Sequence, residues 1–294
     1  MPEIVVISGK GGTGKTSLTA AFAHLAKNKV ICDLDVDAPD LHLLLKPEIE
    51  TRQEFYSGHE ARVISEKCQG CGRCAELCRF GAIALNGQMA TVDSLKCEGC
   101  KVCFNFCPAE AITFSEKHCG QWYTSQTRFG PFVHAQLFPG EENSGKLVSL
   151  LKQKARELAE TRGLDLILAD GAPGIGCPVI SSLSGADLAV AVTEPTPSGR
   201  HDLERVIDLC AHFGVPAGVI VNKYDLNLDQ TRRIEEFCSK RGLELLARLP
   251  HDLTVTEAMV KGQAITEFEA SRLADLVSQA WQKTLRLVGL KQAA

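Results

Sequence analysis

The chain has 294 residues, of which 45% are hydrophobic, and a formal net charge of −4. This length favours one large α/β domain together with a small one. The slight negative charge excludes a general electrostatic attraction to nucleic acid, and no apolar run is long enough for a membrane-spanning helix. The 13 cysteines occur without a signal-peptide pattern, so we expect metal binding rather than disulfides, and a cytoplasmic protein.

A glycine-rich loop lies near the start of the chain, between an apolar strand at residues 4–7 and a predicted helix over residues 16 to about 27. In a strand–loop–helix setting, backbone N–H groups and the helix N-terminus surround phosphate oxygens. Lys15 can neutralise the outer phosphates, and the Thr16 hydroxyl can ligate Mg2+. The loop therefore predicts a nucleotide site.

The same loop also satisfies the dinucleotide pattern Gly9-x-Gly11-x-x-Gly14, with Asp33 and Asp35 near the position of a ribose-binding carboxylate. However, the loop ends in a Lys-Thr pair, which has no role in a dinucleotide site. The pair favours a nucleoside triphosphate.

A second lysine, Lys10, makes the loop more particular. The form Gly-Lys-Gly-Gly-x-Gly-Lys-Thr resembles the deviant Walker A loop of the MinD/ParA/Mrp superfamily of P-loop ATPases. The resemblance implies an α/β fold with a doubly wound, mostly parallel sheet. It also implies a dimer that forms with ATP, either a homodimer or a heterodimer with a related ATPase, in which Lys10 reaches the partner's nucleotide. By the same resemblance, the loop residues that bind ATP are Gly11, Gly12, Thr13, Gly14, Lys15, Thr16 and Ser17.

Two further predicted strands, at residues 30–35 and 164–170, end in carboxylates at the sheet edge where parallel strands bind ligands. The segment after the first resembles the superfamily's switch I, so Asp35 is the candidate that orients the attacking water beside Mg2+. The second resembles the Walker B and switch II region. Asp170 would then hold Mg2+ through water, and the Gly174 backbone N–H would meet the terminal phosphate.

The adenine contacts are expected at the ends of two later strands, residues 216–223 and 244–249. The resemblance assigns Asn222 to the adenine edge. It assigns Pro250 and Asp252 to a second loop that contacts the base.

Between these ATPase segments lies a cysteine-rich repeat with a period of 29 residues. Each copy carries three cysteines spaced two residues apart and a fourth after three more residues. This spacing resembles the bacterial two-cluster ferredoxin, in which the fourth cysteine of each run ligates the other cluster. The resemblance assigns Cys68, Cys71, Cys74 and Cys107 to one 4Fe-4S cluster, and Cys97, Cys100, Cys103 and Cys78 to the second. Two structural zinc sites are the alternative, although zinc sites usually take cysteines in pairs.

We therefore expect a ferredoxin-like domain over residues 61–115, inserted into an ATPase domain formed by residues 1–60 and 116–294. One departure from the ferredoxin pattern is Arg79, which stands where the first repeat would normally carry proline. This difference bears on the rigidity of that turn or on the reduction potential of the cluster. It does not affect ligation by the cysteines.

The remaining segments predict packed structure. A β-hairpin is expected between Lys117 and Phe138, with packed or surface roles for His118, Cys119 and His134. The apolar residues from 273 to 288 have helical spacing. This C-terminal segment is expected to pack on the sheet, while a membrane-surface helix carrying Lys283, Arg286 and Lys291 is the alternative.

Three functions remain open for such a chain. The first is an ATP-hydrolysing iron–sulfur protein that acts with an unidentified redox or iron–sulfur partner. The second is a positioning or partitioning ATPase with structural or sensory clusters, for which no nucleic-acid partner is expected. The third is an iron–sulfur carrier, which would need a C-x-x-C pair outside the insert. An amide-forming ligase of the cobyrinic acid synthase group would need a substrate-binding or glutaminase segment that the sequence does not display.

Overall fold

The computed structural model describes residues 1–141, 144–268 and 271–290. Its strands are β1 (Glu3–Ser8), β2 (Lys29–Asp33), β3 (Glu48–Val63), β4 (Ile83–Asn86), β5 (Met89–Val92), β6 (Ile112–Thr127), β7 (Gly130–Leu137), β8 (Leu166–Pro173), β9 (Leu188–Thr193), β10 (Ala217–Asn222) and β11 (Glu244–Leu249). Its α-helices are α1 (Lys15–Leu25), α2 (Leu41–Leu45), α3 (Arg73–Leu77), α4 (Val102–Asn105), α5 (Ser144–Arg162), α6 (Cys177–Leu183), α7 (Pro197–His212), α8 (Leu228–Lys240), α9 (Thr254–Val260), α10 (Ile265–Phe268) and α11 (Arg272–Leu287).

Nine strands of the described chain form one sheet, in the order β11-β10-β9-β1-β8-β2-β7-β6-β3. β1 lies between β8 and β9 and pairs in parallel with both. Parallel pairing continues to β10 and β11 on one side and to β2 and β7 on the other. β6 and β7 are neighbours joined by two residues, so they form the predicted antiparallel hairpin. The mostly parallel α/β sheet is confirmed.

The central strands are buried along their whole length, as strands covered by helices on both faces must be. α11 packs against this core through an apolar face that includes Leu273, Val277, Trp281 and Leu285. The C-terminal helix is therefore packed on the sheet, as expected, and Lys291 lies outside the described residues. Within those residues, no helix has both the length and the apolar character needed to cross a bilayer.

The chain divides into two compact units. The larger unit comprises Met1–Gln53, Trp122–Gln136 and Ser144–Ala294, and the smaller comprises Glu54–Gln121 and Leu137–Asn143. β3 and β6 are each 16 residues long and have residues in both units. The functional domain limits expected above, 61–115 for the insert and 1–60 with 116–294 for the ATPase, stay a prediction.

The smaller unit is built around the cysteine repeat. β4 and β5 pair antiparallel in a separate two-stranded sheet. Its apolar core consists of Ala61, Ile83, Ala90, Cys103 and Ile112, with further cysteines packed around it. A core this small gives little stabilisation by itself, so such a unit is expected to gain from additional ligands.

The three side chains expected in packed or surface roles, His118, Cys119 and His134, are all wholly or partly buried. His134 stacks on Phe132 with ring centroids 4.4 Å apart, and its Nε2 lies 2.9 Å from the Ser125 hydroxyl. Burial, together with the nearby His42, lowers the pKa of His134 from 6.5 to about 4. The folded chain therefore holds this imidazole neutral.

We predict that His134 makes the larger unit sensitive to mild acid. Because the pKa is lower in the folded chain, the unfolded chain binds the proton first, so stability falls as the pH drops from about 6.5 toward 4. The loss is expected to reach roughly 3 kcal/mol at the lower pH. Urea unfolding followed by the fluorescence of buried Trp281 measures it. His134→Phe should flatten this pH dependence, whereas the exposed control His201→Gln should retain it. An equal slope in both variants would contradict the assignment.

Candidate functional site

The glycine-rich loop of the larger unit connects β1 to α1, and α1 begins at Lys15. Gly12 and Gly14 have φ angles of +79° and +91°, a left-handed backbone that glycine adopts readily. A Cβ atom on Gly14 would lie 2.4 Å from the Asn222 side-chain nitrogen, so a larger residue would have to displace that amide. The loop therefore exposes backbone N–H groups at the start of a helix, which is a favourable environment for an anion.

Lys15 lies at the centre of a cluster of carboxylates. Its Nζ is 3.0 Å from Asp170 Oδ1 and 3.5 Å from Asp35 Oδ2, and only 6% of its side chain is exposed. Burial by itself lowers the pKa of Lys15, but the carboxylates of Asp170, Asp35 and Asp33 outweigh burial and raise it. The ammonium group thus remains charged, as a phosphate ligand must be.

Asp33 is a third carboxylate at this edge of the sheet. It is 1% exposed, and its Oδ2 has no hydrogen-bond partner among the described residues. Burial and the neighbouring Asp170 raise the pKa of Asp33 well above its usual range. Sequence reasoning considered Asp33 only for the dinucleotide alternative. Its place at the end of β2, two residues before Asp35, was the available signal.

Asp170 is held by two threonines of α1. Thr16 Oγ1 donates to Asp170 Oδ2 at 2.8 Å, and Thr19 Oγ1 donates to Asp170 Oδ1 at 2.7 Å. Thr19, which the sequence analysis did not single out, lies one turn after Thr16 and therefore on the same helix face. The hydroxyl of Thr16 and the carboxylates of Asp35 and Asp170 are hard oxygen donors of the kind that Mg2+ prefers. These residues fit the expected metal.

Lys10 pairs with a carboxylate of its own chain. Its Nζ lies 2.6 Å from Glu194 Oε1, and 3.3 Å from each of the Thr196 and Ser198 hydroxyls. Burial raises the pKa of Glu194, but the contacts with Lys10 and Lys223 outweigh it and hold the pKa below its usual value. The proposed reach of Lys10 to a partner's nucleotide stays a prediction. Glu194 was not identified from the sequence, because it is distant from the loop along the chain.

A cavity of about 490 Å³ adjoins the phosphate loop. Its volume is suitable for a small-molecule ligand. Apolar side chains form much of one wall, including Leu249, Val255 and Val277. The predicted ATP-binding residues that line it are Gly11, Gly12, Gly14, Lys15, Thr16, Ser17, Asn222, Pro250 and Asp252, and Asp35 lines it as well. The structure thus brings these phosphate and adenine candidates to one cavity, whose lining does not include Thr13 or Gly174.

Three of the residues predicted to contact the nucleotide use their polar groups within the chain. Asn222 Nδ2 donates to the Thr13 carbonyl oxygen at 2.8 Å. Asp252 accepts from the Thr254 backbone N–H and hydroxyl, which lower the pKa of that carboxyl. The Gly174 N–H, expected to meet the terminal phosphate, donates to the Ser8 carbonyl oxygen at 2.8 Å. Their roles toward a nucleotide stay predictions.

Eight cysteines of the smaller unit line two separate cavities. Cys68, Cys71, Cys74 and Cys107 line the first. Cys78, Cys97, Cys100 and Cys103 line the second. Each cavity thus combines three cysteines of one repeat with the fourth cysteine of the other, which is the grouping that a two-cluster ferredoxin uses.

The backbone around the two cavities repeats as well. The Ala82 N–H donates to Cys78 Sγ and the Ala111 N–H donates to Cys107 Sγ, each at 3.3 Å, and these two pairs are equivalent in the 29-residue repeat. Hydrogen bonds of this kind stabilise thiolate ligands of iron–sulfur clusters. In the described part of the chain, no three His, Cys, Asp or Glu side chains are grouped as ligands of one metal ion. A four-iron cluster would instead bind each of four thiolates to a different iron, and four cysteines line each cavity.

Comparison with known proteins identifies relatives of this chain. The family model described as "CobQ/CobB/MinD/ParA nucleotide binding domain" matches residues 4–265. The uncharacterized protein MJ0578 of Methanocaldococcus jannaschii is 36% identical over 228 residues, which cover 76% of this chain and 79% of that protein. The septum site-determining protein MinD of Bacillus subtilis is 24% identical over 275 residues, covering 89% and 81%.

The fold is shared with solved structures. The septum site-determining protein MinD of Pyrococcus horikoshii, solved with Mg-ADP, superposes with a TM-score of 0.62 at 17% identity, covering 100% of this chain and 99% of that chain. The cell division ATPase MinD of Pyrococcus furiosus gives a TM-score of 0.61 at 17% identity, covering 97% and 99%. These similarities establish the common fold.

From the carboxylate cluster around Lys15, we predict that different substitutions affect ATP binding and ATP hydrolysis. Asp35→Ala removes the candidate that orients water, so ATP hydrolysis should fall about 100-fold while ATP remains bound. Lys15→Ala removes the cation that faces the phosphates, so binding itself should be lost. Release of inorganic phosphate and equilibrium binding of ATP measure the two effects. The exposed carboxylate Asp229, changed to Ala, serves as the control and should alter neither. Normal turnover by Asp35→Ala would exclude the water-orienting role.

Proposed function

The chain belongs to the CobQ/CobB/MinD/ParA nucleotide-binding family, and we propose that it is an ATP-hydrolysing member that carries two 4Fe-4S clusters. In this proposal, the nucleotide state of a dimer is coupled to electron transfer, or to the iron–sulfur function, of a partner protein. The observation that carries the proposal is the division of eight cysteines between two cavities in the crossed pattern of a two-cluster ferredoxin.

The ATPase half of the proposal assigns roles to four side chains. Lys15 neutralises charge on the outer phosphates, and the Thr16 hydroxyl ligates the metal. Asp170, already oriented by Thr16 and Thr19, holds the metal's water shell. Asp35 orients the water that attacks the terminal phosphate. Bound Mg2+ would supply additional neutralisation of the phosphate charge.

The proposal of a dimer rests on Lys10. The family resemblance gives this lysine its contact with the nucleotide of a partner, which is a second copy of the chain or a related ATPase. To make that contact, Lys10 must leave Glu194, and Lys223, whose Nζ lies 3.5 Å from the same carboxylate, is available to retain a pairing. When Lys10 moves away, Glu194 therefore still has Lys223 as a cationic partner.

The cysteines assigned to the clusters have different surroundings as donors. Backbone N–H groups of Ala90 and Gly70 lower the pKa of the Cys68 thiol, which favours the thiolate that iron binds. Burial has the opposite effect at Cys103, where it raises the pKa to about 11. A bound cluster would supply one-electron redox chemistry in this unit.

A positioning ATPase is the second candidate, and the similarity to MinD proteins favours it. The clusters would then be structural or sensory. A carrier of a labile, shared cluster is less supported. Of the five cysteines outside the two cavities, Cys32, Cys119, Cys210 and Cys238 are buried, and Cys177 is exposed without a second exposed cysteine beside it in the described chain.

Metal analysis tests the cluster half. The anaerobically purified chain should contain about eight iron and eight sulfide. Cys68→Ser should lower both to about four by removing a ligand of one cluster, and Cys97→Ser should do the same for the other. The exposed Cys177, changed to Ser, is the control and should leave the content unchanged. A colourless chain, or one that contains zinc, would overturn the assignment.

The rate of ATP hydrolysis separates the two candidate functions. It should be compared in chain whose clusters are oxidised, reduced or removed. Coupling predicts a difference of about fivefold or more between the oxidised and reduced forms. Lys15→Ala, which should not hydrolyse ATP, corrects for background in each state. A rate that is the same in all three states would contradict coupling and favour the positioning ATPase.

A further inference from the structure

The Lys10 side chain lies against the first turn of α7 in the folded chain. Thr196 is the N-cap residue of that helix, because its hydroxyl accepts from the Gly199 N–H at 2.9 Å. The Lys10 ammonium group is 3.3 Å from this hydroxyl and 3.3 Å from the Ser198 hydroxyl. A helix N-terminus carries partial positive charge, so a cation is disfavoured at this position. Lys10 therefore needs an anion beside it to remain there.

The carboxylate of Glu194 is that anion. Its Oε1 lies 2.6 Å from Lys10 Nζ, and its Oε2 lies 3.5 Å from Lys223 Nζ. Lys223 Nζ also donates to the Gly12 carbonyl oxygen of the phosphate loop at 3.2 Å. Glu194 directly follows β9, which pairs in parallel with β1, the strand that leads into the loop. The pairing of neighbouring strands thus places one carboxylate between two lysines beside the phosphate loop.

The backbone at Lys10 is fixed, although its side chain is accessible. The Ser8 hydroxyl donates to the Lys10 carbonyl oxygen at 2.8 Å. A Cβ atom on the neighbouring Gly9 would lie 2.4 Å from Asp202 Cβ, so the loop and α7 are in close contact there. The Lys10 side chain, by contrast, is 29% exposed. A change of its rotamer can therefore move the ammonium group while the loop keeps its conformation.

We propose that Glu194 is the positioning residue that retains Lys10 on its own chain and thereby sets how readily two nucleotide-loaded chains join. The inference rests on the proposed function, because it concerns the lysine that would reach the partner's nucleotide. In the retained position the ammonium group has three oxygen partners, and it must leave them before it can contact phosphate on a second chain.

The nucleotide of the second chain is the competitor that releases the lysine. Its phosphates carry more negative charge than one carboxylate, so they attract the Lys10 ammonium group more strongly than Glu194 does. A second chain without nucleotide presents no such charge, and Lys10 then stays on α7. Retention by Glu194 therefore opposes the joining of empty chains and also weakens the dimer of loaded chains.

Dimer formation by the full-length chain, loaded with Mg2+ and the non-hydrolysable analogue AMPPNP, tests this role. Glu194→Gln removes the charge that retains Lys10 and keeps the shape of the side chain. An ion pair of this exposure is worth about threefold in each chain, and both chains of a homodimer must release their lysine. The dissociation constant of the dimer should therefore fall about tenfold. Sedimentation velocity over a range of chain concentrations measures it. The AMPPNP affinity of the dilute single chain should stay unchanged.

Glu204→Gln is the matched control, because Glu204 lies on α7 and pairs with Arg200 at 3.0 Å. It should leave the dissociation constant of the dimer unchanged. An unchanged or larger dissociation constant for Glu194→Gln would overturn the inference, since the loss of a merely structural ion pair either weakens the dimer or does not alter it. Tighter binding of AMPPNP by the dilute Glu194→Gln chain, to the same extent, would indicate a general effect of charge and would also overturn it.

Lys10→Met separates failure of this inference from failure of the proposed function. It should weaken the dimer, because the contact with the partner's nucleotide is lost. If Lys10→Met weakens the dimer and Glu194→Gln has no effect, the retaining role alone is wrong. If the wild-type chain forms no dimer with AMPPNP, or if Lys10→Met forms it equally well, the dimer of the proposed function is contradicted and this inference with it.

Discussion

The buried carboxylate of Asp170 joins the elements that form the nucleotide site. It lies at the end of β8, pairs with Lys15 at the start of α1, and accepts hydrogen bonds from Thr16 and Thr19 on that helix. Because Asp170 is only 1% exposed, water cannot replace a lost partner, and breaking such a pair costs about 3–5 kcal/mol. The loop, the helix and the strand therefore share one arrangement, and Asp33 and Asp35 approach the same ammonium group from β2.

The smaller unit depends on a different constraint, which is the exchange of one cysteine between its two repeats. Neither repeat lines a complete four-cysteine cavity by itself, so the two must fold together. Gly70 and Gly99 permit the close backbone approaches that this requires.

The family and the cysteine repeat inform different parts of the function. Members of the family share the nucleotide-binding fold, and a fold alone does not define what nucleotide hydrolysis drives. The distinguishing chemistry of this chain lies in its eight grouped cysteines. Coupling between them and the nucleotide is therefore the property that would separate an iron–sulfur ATPase from a positioning ATPase.

Much of this architecture could be predicted, because the informative residues are close together in the sequence. The phosphate loop spans eight consecutive positions between a strand and a helix, and its glycines and Lys15 have the same neighbours in any fold that keeps this setting. The parallel sheet was implied by the resemblance to the P-loop superfamily, and the apolar runs that end in polar residues agree with it. The crossed grouping of the cysteines joins residues of two repeats, so it was implied by the resemblance to a two-cluster ferredoxin and not by local spacing.

Other features depended on contacts between residues far apart in the chain. Thr19, Asp33 and Glu194 acquire their significance from Asp170, Lys15 and Lys10, and only the strand order shows that they meet. The Gly174 N–H and the Asn222 amide were assigned to a ligand by resemblance, yet in the folded chain they donate to backbone carbonyls. The sequence alone thus determined which chemical groups are present and how neighbouring ones are spaced. Tertiary structure decided which groups pair, because burial makes each buried charge or polar group take the partner that packing brings within reach.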